Sequence, residues 1–185
     1  GQHLGACRCL IYRAQATDAK AIIEHEFLNS NISSVLGQSW ELEHNPLFQQ
    51  VLQQLEGVCV ADTLGDFQVK KSPALSSIVR QFGVRSWLIE PVLYQGRLLG
   101  IVELHDCHFP PHEWQPGELD LVKAIATQIG TALIQAESFA NLEELNQQLE
   151  ALDRTRSNLI AITGHELRTP CLLYTSDAAD EEDSV

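Results

Sequence analysis

The chain contains no methionine, not even at position 1, and only 6% of its residues are aromatic. Without an initiator, the written sequence is expected to begin inside a longer open reading frame. No stretch approaches the ~18 consecutive apolar residues that a membrane span needs. Gly1 to Arg8 has neither the charged start nor the apolar run of a secretory signal. The expectation is therefore a cytoplasmic protein with no membrane span in this stretch. Basic residues are scarce: 12 Lys and Arg against 25 Asp and Glu leave a formal charge of −13. That balance argues against nucleic acid and anionic membrane as partners, since neither phosphate array would be neutralised. Five of the negative charges sit on Asp177, Asp180, Glu181, Glu182 and Asp183, so the rest of the chain carries −8. The cysteines, Cys7, Cys9, Cys59, Cys107 and Cys171, are odd in number and irregularly spaced. This argues against a disulfide framework and points to reduced thiols.

What is present is enough for one core and an extension: 185 residues, 44% of them apolar. Ala6 to Arg13 and Ala21 to Leu28 read as neighbouring strands. Asn45 and Pro46 form an N-cap and first helical position, with Leu47, Val51 and Leu55 on one face and Gly57 as the stop. Val58 to Thr63 reads as a strand, Asp62 to Pro73 as a loop, and Ala74 to Phe82 as a short helix closed by Gly83. Trp87 to Tyr94, Gln95-Gly96 and Arg97 to His105 predict a hairpin at the centre of an antiparallel sheet. The fold class expected is α+β.

From Pro116 the pattern changes. Leu119, Val122, Ile125, Ile129, Leu133 and Ala136 recur at three and four residues, and no breaker appears before Pro170. Gly117 and Gly130 are read as points that merely weaken this helix. A continuous helix from Gly117 to Thr169 would span ~80 Å at 1.5 Å per residue, and so needs a partner. Leu142, Leu145, Leu149 and Leu152 supply an a/d seam, flanked by Glu143, Glu144, Gln147 and Gln148, which predicts a parallel homodimeric coiled coil. The alternative is a terminal helix folded back on its own domain.

Two sets of residues resemble known families. The order of elements, with Phe82-Gly83-Val84-Arg85-Ser86 leading into Leu88-Ile89-Glu90-Pro91-Val92 and Gly100-Ile101-Val102, and with Trp114-Gln115-Pro116 before the long helix, resembles a cyanobacterial-type GAF domain. Asn158-Leu159-Ile160-Ala161-Ile162-Thr163-Gly164-His165-Glu166-Leu167-Arg168-Thr169-Pro170 resembles the H-box of histidine kinases. The second resemblance implies that His165 is the phosphoacceptor, taking the γ-phosphoryl of ATP on an imidazole nitrogen. A ring nitrogen attacks phosphorus only when unprotonated and when the other nitrogen is held. Glu166 resembles the acceptor and base that does this. Thr169, on the same helical face, resembles the position that orients water for dephosphorylating the partner response regulator. Pro170 resembles the helix-bending proline. Gly164 departs from the family, where serine is usual.

The implied parent is a sensor histidine kinase of a two-component phosphorelay, with ATP and Mg bound by a domain absent from this sequence. Residues 1–138 are expected to be the GAF-like sensor, 139–156 the signalling coiled coil, and 157–170 the start of the dimerisation and phosphoacceptor (HisKA) domain. From Cys171 the wording Cys171-Leu172-Leu173-Tyr174-Thr175-Ser176-Asp177 resembles a translated sequencing adapter, so 171–185 is expected to be a non-native tail.

A small-molecule ligand of the GAF domain would lie between the sheet and the two short helices, near Phe82, Trp87, Ile89 and Leu104, positions that are equally ordinary core. Related bilin-binding domains attach the chromophore to a cysteine on the short helix before the Gly-Val pair. Here that helix carries Ala74, Leu75 and Ser76, so no covalent bilin is expected. His105, Cys107, His108 and His112 do not have a zinc-site spacing, and no metal is expected. The rival readings are a binding and dimerisation module without kinase activity, and a bilin photoreceptor.

Overall fold

The structure is a computed structural model that describes residues 4–180, with side chains described for 4–163. It divides into two compact units, Gly1–Ile134 and Gln135–Val185. The first unit is built on a five-stranded sheet in the order β3-β1-β7-β6-β5, with every neighbouring pair antiparallel. Its strands are β1 (Arg8–Arg13), β3 (His25–Leu28), β5 (Val58–Val60), β6 (Ser86–Tyr94) and β7 (Arg97–Asp106). A separate two-stranded ribbon pairs β2 (Lys20–Ile22) with β4 (Ser39–Glu41).

The β6–β7 hairpin forms as its turn chemistry requires. Gln95 and Gly96 both take positive φ, 49° and 78°, the twist-compatible turn in which glycine is favoured. Residues 86–92 of β6 are buried without interruption, as expected of an interior strand covered on both faces. A register shift between Val92 and Leu93 marks a bulge opposite β7.

α1 (Pro46–Gln54) begins where the sequence indicates. The fully buried Asn45 accepts from the amides of Leu47 (3.1 Å) and Phe48 (3.3 Å), and Pro46 follows as the first helical residue. The helix ends earlier than expected, on Leu55 in the left-handed region at φ 54°. Gly57 is small for another reason. A Cβ there would run into the Glu90 carboxylate, so the glycine leaves room for that side chain of β6, the β6 backbone itself being at ordinary contact distance.

The run Ala21 to Leu28 is not one strand. It breaks after Ile22, sending β2 to the ribbon and β3 to β1, while the Ile23 amide donates to Gln38 O and its carbonyl accepts from the Gly37 amide. The stretch read as a loop contains α2 (Phe67–Lys71), capped by Asp66 and buried only at Val69. α3 (Pro73–Phe82) is capped by Ser72 and closed by Gly83 at φ 66°.

Two cores lie on opposite faces of the sheet. One joins Leu10, Tyr12, Trp87, Ile89 and Ile101 to Phe48 and Val51 of α1, Val79 and Phe82 of α3, and Trp40 of the ribbon. The other joins Leu88, Val92, Val102 and Leu104 to Trp114 and to Leu119, Val122, Ala126 and Ile129 of α4 (Pro116–Asp180). Gly130 of α4 lies hard against β6, where a Cβ would sit 2.5 Å from the Leu93 carbonyl oxygen.

In the second unit, Phe139, Leu142, Leu145, Leu149 and Leu152 are each more than half exposed. They form an uncovered apolar stripe on the helix.

Candidate functional site

Strand alternation aims Arg8, Tyr12, Trp87, Glu103 and His105 at the face covered by α1, α3 and the ribbon. There they form a buried polar chain. Glu103, fully buried, accepts from the Tyr12 hydroxyl, from Trp87 Nε1 (3.3 Å) and from His105 Nε2 (3.0 Å). Arg8 Nη1 lies 3.2 Å from His105 Nδ1. A guanidinium only donates, so Nδ1 is the acceptor and the ring proton facing Glu103 sits on Nε2.

Arg8 also donates through Nη2 to Ser33 O, and its guanidinium lies 5.6 Å from the Phe82 ring centroid. Its Nε is 3.1 Å from Glu26 Oε1 but has no in-line acceptor, so this is an ion contact rather than an aligned hydrogen bond. Burial first, then the neighbouring Glu103 carboxylate, push the Tyr12 phenol well above its ordinary range. Such a network is stable only while every member stays paired. Trp40 is one buried group that stays unpaired: its ring packs edge-on to Phe82 at 5.7 Å, and its Nε1–H has no acceptor among the described residues.

Of the pocket positions read from the sequence, Phe82, Trp87 and Ile89 line this core, whereas Leu104 faces α4 on the other side. Tyr12, Glu103, His105 and Arg8 were not among the expected site residues. A signal for them existed in Glu103 and His105, two charged-type residues spaced to share one face of an otherwise apolar strand.

The histidine and cysteine cluster is split up by the fold. His105 belongs to the buried chain, His112 Nε2 donates to Glu118 (2.9 Å), and Cys107 Sγ points to Phe82 O at 3.6 Å. His108 lies beside two ligand-type groups at once, Cys7 and Asp106. Ala74 to Ser76 lie on α3 as expected, and Cys59 is an exposed residue of β5. His165, Glu166, Thr169 and the stretch from Cys171 fall outside the residues whose side chains are described.

A five-stranded antiparallel sheet with a buried polar chain under short helices on one face and the start of a long helix on the other defines an α+β domain. The chain belongs to the GAF domain family, whose model matches residues 1–133. It is 30% identical over 172 residues to the circadian input-output histidine kinase CikA of Thermosynechococcus vestitus, covering 80% of this chain and 23% of that one. It is 32% identical over 139 residues to CikA of Synechococcus elongatus, covering 65% and 18%. The chain thus spans less than a quarter of the length of these curated relatives. Among solved structures, the phycocyanobilin-bound GAF domain of a cyanobacterial phytochrome superposes with a TM-score of 0.58 at 21% identity, over 71% of this chain and 76% of that one. That likeness shows the fold.

Proposed function

We propose that this chain is the input and relay portion of a sensor histidine kinase, in which the GAF domain senses a small molecule and the helix leading from it sets the activity of His165. The observation that carries this reading is the conjunction of a GAF domain similar to those of CikA kinases with the wording Gly164-His165-Glu166-Leu167-Arg168-Thr169-Pro170 on one helix. The exposed leucine stripe supports dimerisation, because side chains this apolar at 3, 4, 3 spacing are stabilised by a second copy. His165 is then the phosphoacceptor, Glu166 holds its ring, Thr169 serves the reverse reaction, and the phosphoryl group passes to an aspartate of a response regulator. ATP and Mg belong to a separate domain of the parent protein, where positioning and charge stabilisation of the transferred group occur.

The test supplies that domain in trans. The chain and its His165→Gln variant are each mixed with an ATP-binding domain from a CikA-type kinase and labelled ATP. Acid-labile, alkali-stable label on the unmutated chain alone is the expected result. Equal labelling of both chains sinks the assignment.

A photoreceptor reading is favoured by one observation, the likeness to a phycocyanobilin-bound GAF domain. Against covalent attachment stand Ala74, Leu75 and Ser76 on α3, where related domains place a cysteine. Co-expression with bilin synthesis enzymes separates the two readings. A colourless protein supports the first, and a covalently coloured, photoconverting one supports the second.

A further inference from the structure

Cys7, Asp106 and His108 come from opposite ends of the first unit's sequence and meet at one point. Cys7 Sγ lies 3.3 Å from Asp106 Oδ1 and 3.1 Å from His108 Nδ1, and the latter two atoms are 2.8 Å apart. All three ligand atoms are within 4.8 Å of one another. Cys7 and Asp106 are buried, while the His108 side chain is 65% exposed, so the triangle is closed toward the protein and open toward solvent.

The surroundings already orient the set. The Cys107 amide donates to Cys7 Sγ at 3.2 Å, and the His112 amide donates to Asp106 Oδ2 at 3.2 Å, fixing that carboxylate from behind. We propose that Cys7, Asp106 and His108 form a three-ligand site for a zinc-class divalent cation, with water or a small exogenous ligand in the fourth position.

The chemistry of the donors selects the ion. One thiolate, one imidazole and one carboxylate suit a borderline-soft metal, and hard cations such as Mg or Ca would decline the sulfur. With metal–ligand bonds of ~2.0–2.3 Å in a tetrahedron, the edges between ligand atoms come to ~3.3–3.6 Å. The observed edges of 2.8–3.3 Å therefore need to open by only a few tenths of an ångström. On binding, the Cys7 S–H bond breaks, its proton passes to buffer and the sulfur bonds to the metal. His108 coordinates through neutral Nδ1 and Asp106 through Oδ1, with no change of oxidation state.

No spacing motif announces the site, because Cys7 is 99 and 101 residues from its two partners. Its location gives it a consequence. It ties the segment entering β1 to the end of β7 and to the loop that leads into α4, so occupancy would staple the domain's two ends together.

Cobalt(II) titration of the reduced full chain tests the proposal. One equivalent should give an intense tetrahedral d–d spectrum and a thiolate-to-cobalt charge-transfer band, both displaced by zinc. Cys7→Ser should abolish the charge-transfer band. His108→Gln, at an exposed position that cannot unfold the core, should weaken binding by at least the ~10–100-fold that even outer-shell partners are worth. Cys107→Ser and Cys9→Ser should bind as the parent does, with far-UV circular dichroism confirming that each variant is folded. Absence of a thiolate band at stoichiometric cobalt, its persistence in Cys7→Ser, or its loss in Cys107→Ser overturns the assignment.

Discussion

Replacing Gly130 with alanine tests how α4 is seated on the sheet. By propensity alone the change stabilises an exposed helix interior by about 1 kcal/mol. Here the new methyl would stand 2.5 Å from the Leu93 carbonyl oxygen and 3.4 Å from Val92 Cγ1. Ordinary contact begins near 3.4 Å, so helix and strand must part by about 0.9 Å. Neither side yields readily, since the obstacle is backbone at the β6 bulge. Overpacking of this kind costs about 1–3 kcal/mol. Gly117→Ala in the same helix is the control, because nothing lies within 4 Å of its Cβ.

The difference between the two variants removes most of the propensity effect and should leave Gly130→Ala the less stable by ~1–3 kcal/mol. This corresponds to a Tm gap of roughly 3–10 °C for a domain of this size. All three tryptophans, Trp40, Trp87 and Trp114, are buried in the first unit, so fluorescence-detected urea unfolding reads that unit directly. A Gly130→Ala variant as stable as Gly117→Ala would refute the close approach of α4 to β6.

Asn45→Ala should destabilise the domain by about 1–2 kcal/mol, because two α1 amides lose their acceptor in a buried place, while Asn45→Asp keeps the acceptor; urea midpoints of the two variants check this. Tyr12→Phe removes a donor to the buried Glu103 and should cost about 1–3 kcal/mol at neutral pH. Because the folded phenol titrates above the unfolded one, stability should fall as pH rises beyond about 10 in the parent, and this slope should be shallower in Tyr12→Phe. If the exposed leucines form a dimer seam, the double change Leu145→Asp and Leu149→Asp should shift sedimentation from dimer to monomer without altering tryptophan fluorescence. An unchanged sedimentation coefficient would count against the seam.

The parts of the fold legible in the sequence each carry their own local signal. Asn45-Pro46 starts a helix, Gly83 ends one, and Gln95-Gly96 turns a hairpin, each through chemistry confined to a few residues. The break that separates β2 from β3, the strand β4 and the helix α2 were hidden because β2, β4 and α2 are each three to five residues long and bury a single side chain, Ala21, Trp40 or Val69. No period can be read from one point. Gly130 looks like a weakness in a helix, and its reason is a carbonyl 37 residues upstream. The buried chain through Tyr12, Glu103, His105 and Arg8, and the meeting of Cys7 with Asp106 and His108, depend on β1 lying beside β7, a pairing between residues nearly a hundred positions apart.

β6 shows one further property of the design. Trp87 and Ile89 press into the core under α1 and α3, while their neighbours Leu88 and Val92 press against the start of α4. The partition between these two cores is a single strand thick, and packed interiors compress little. The sheet is in effect a common wall: Val122, Ala126 and Gly130 of α4 rest on one side of it, and the core under α1 and α3 rests on the other. A change of volume in either core has therefore to be taken up across that wall, and the close contact at Gly130 leaves α4 little room to absorb it without moving.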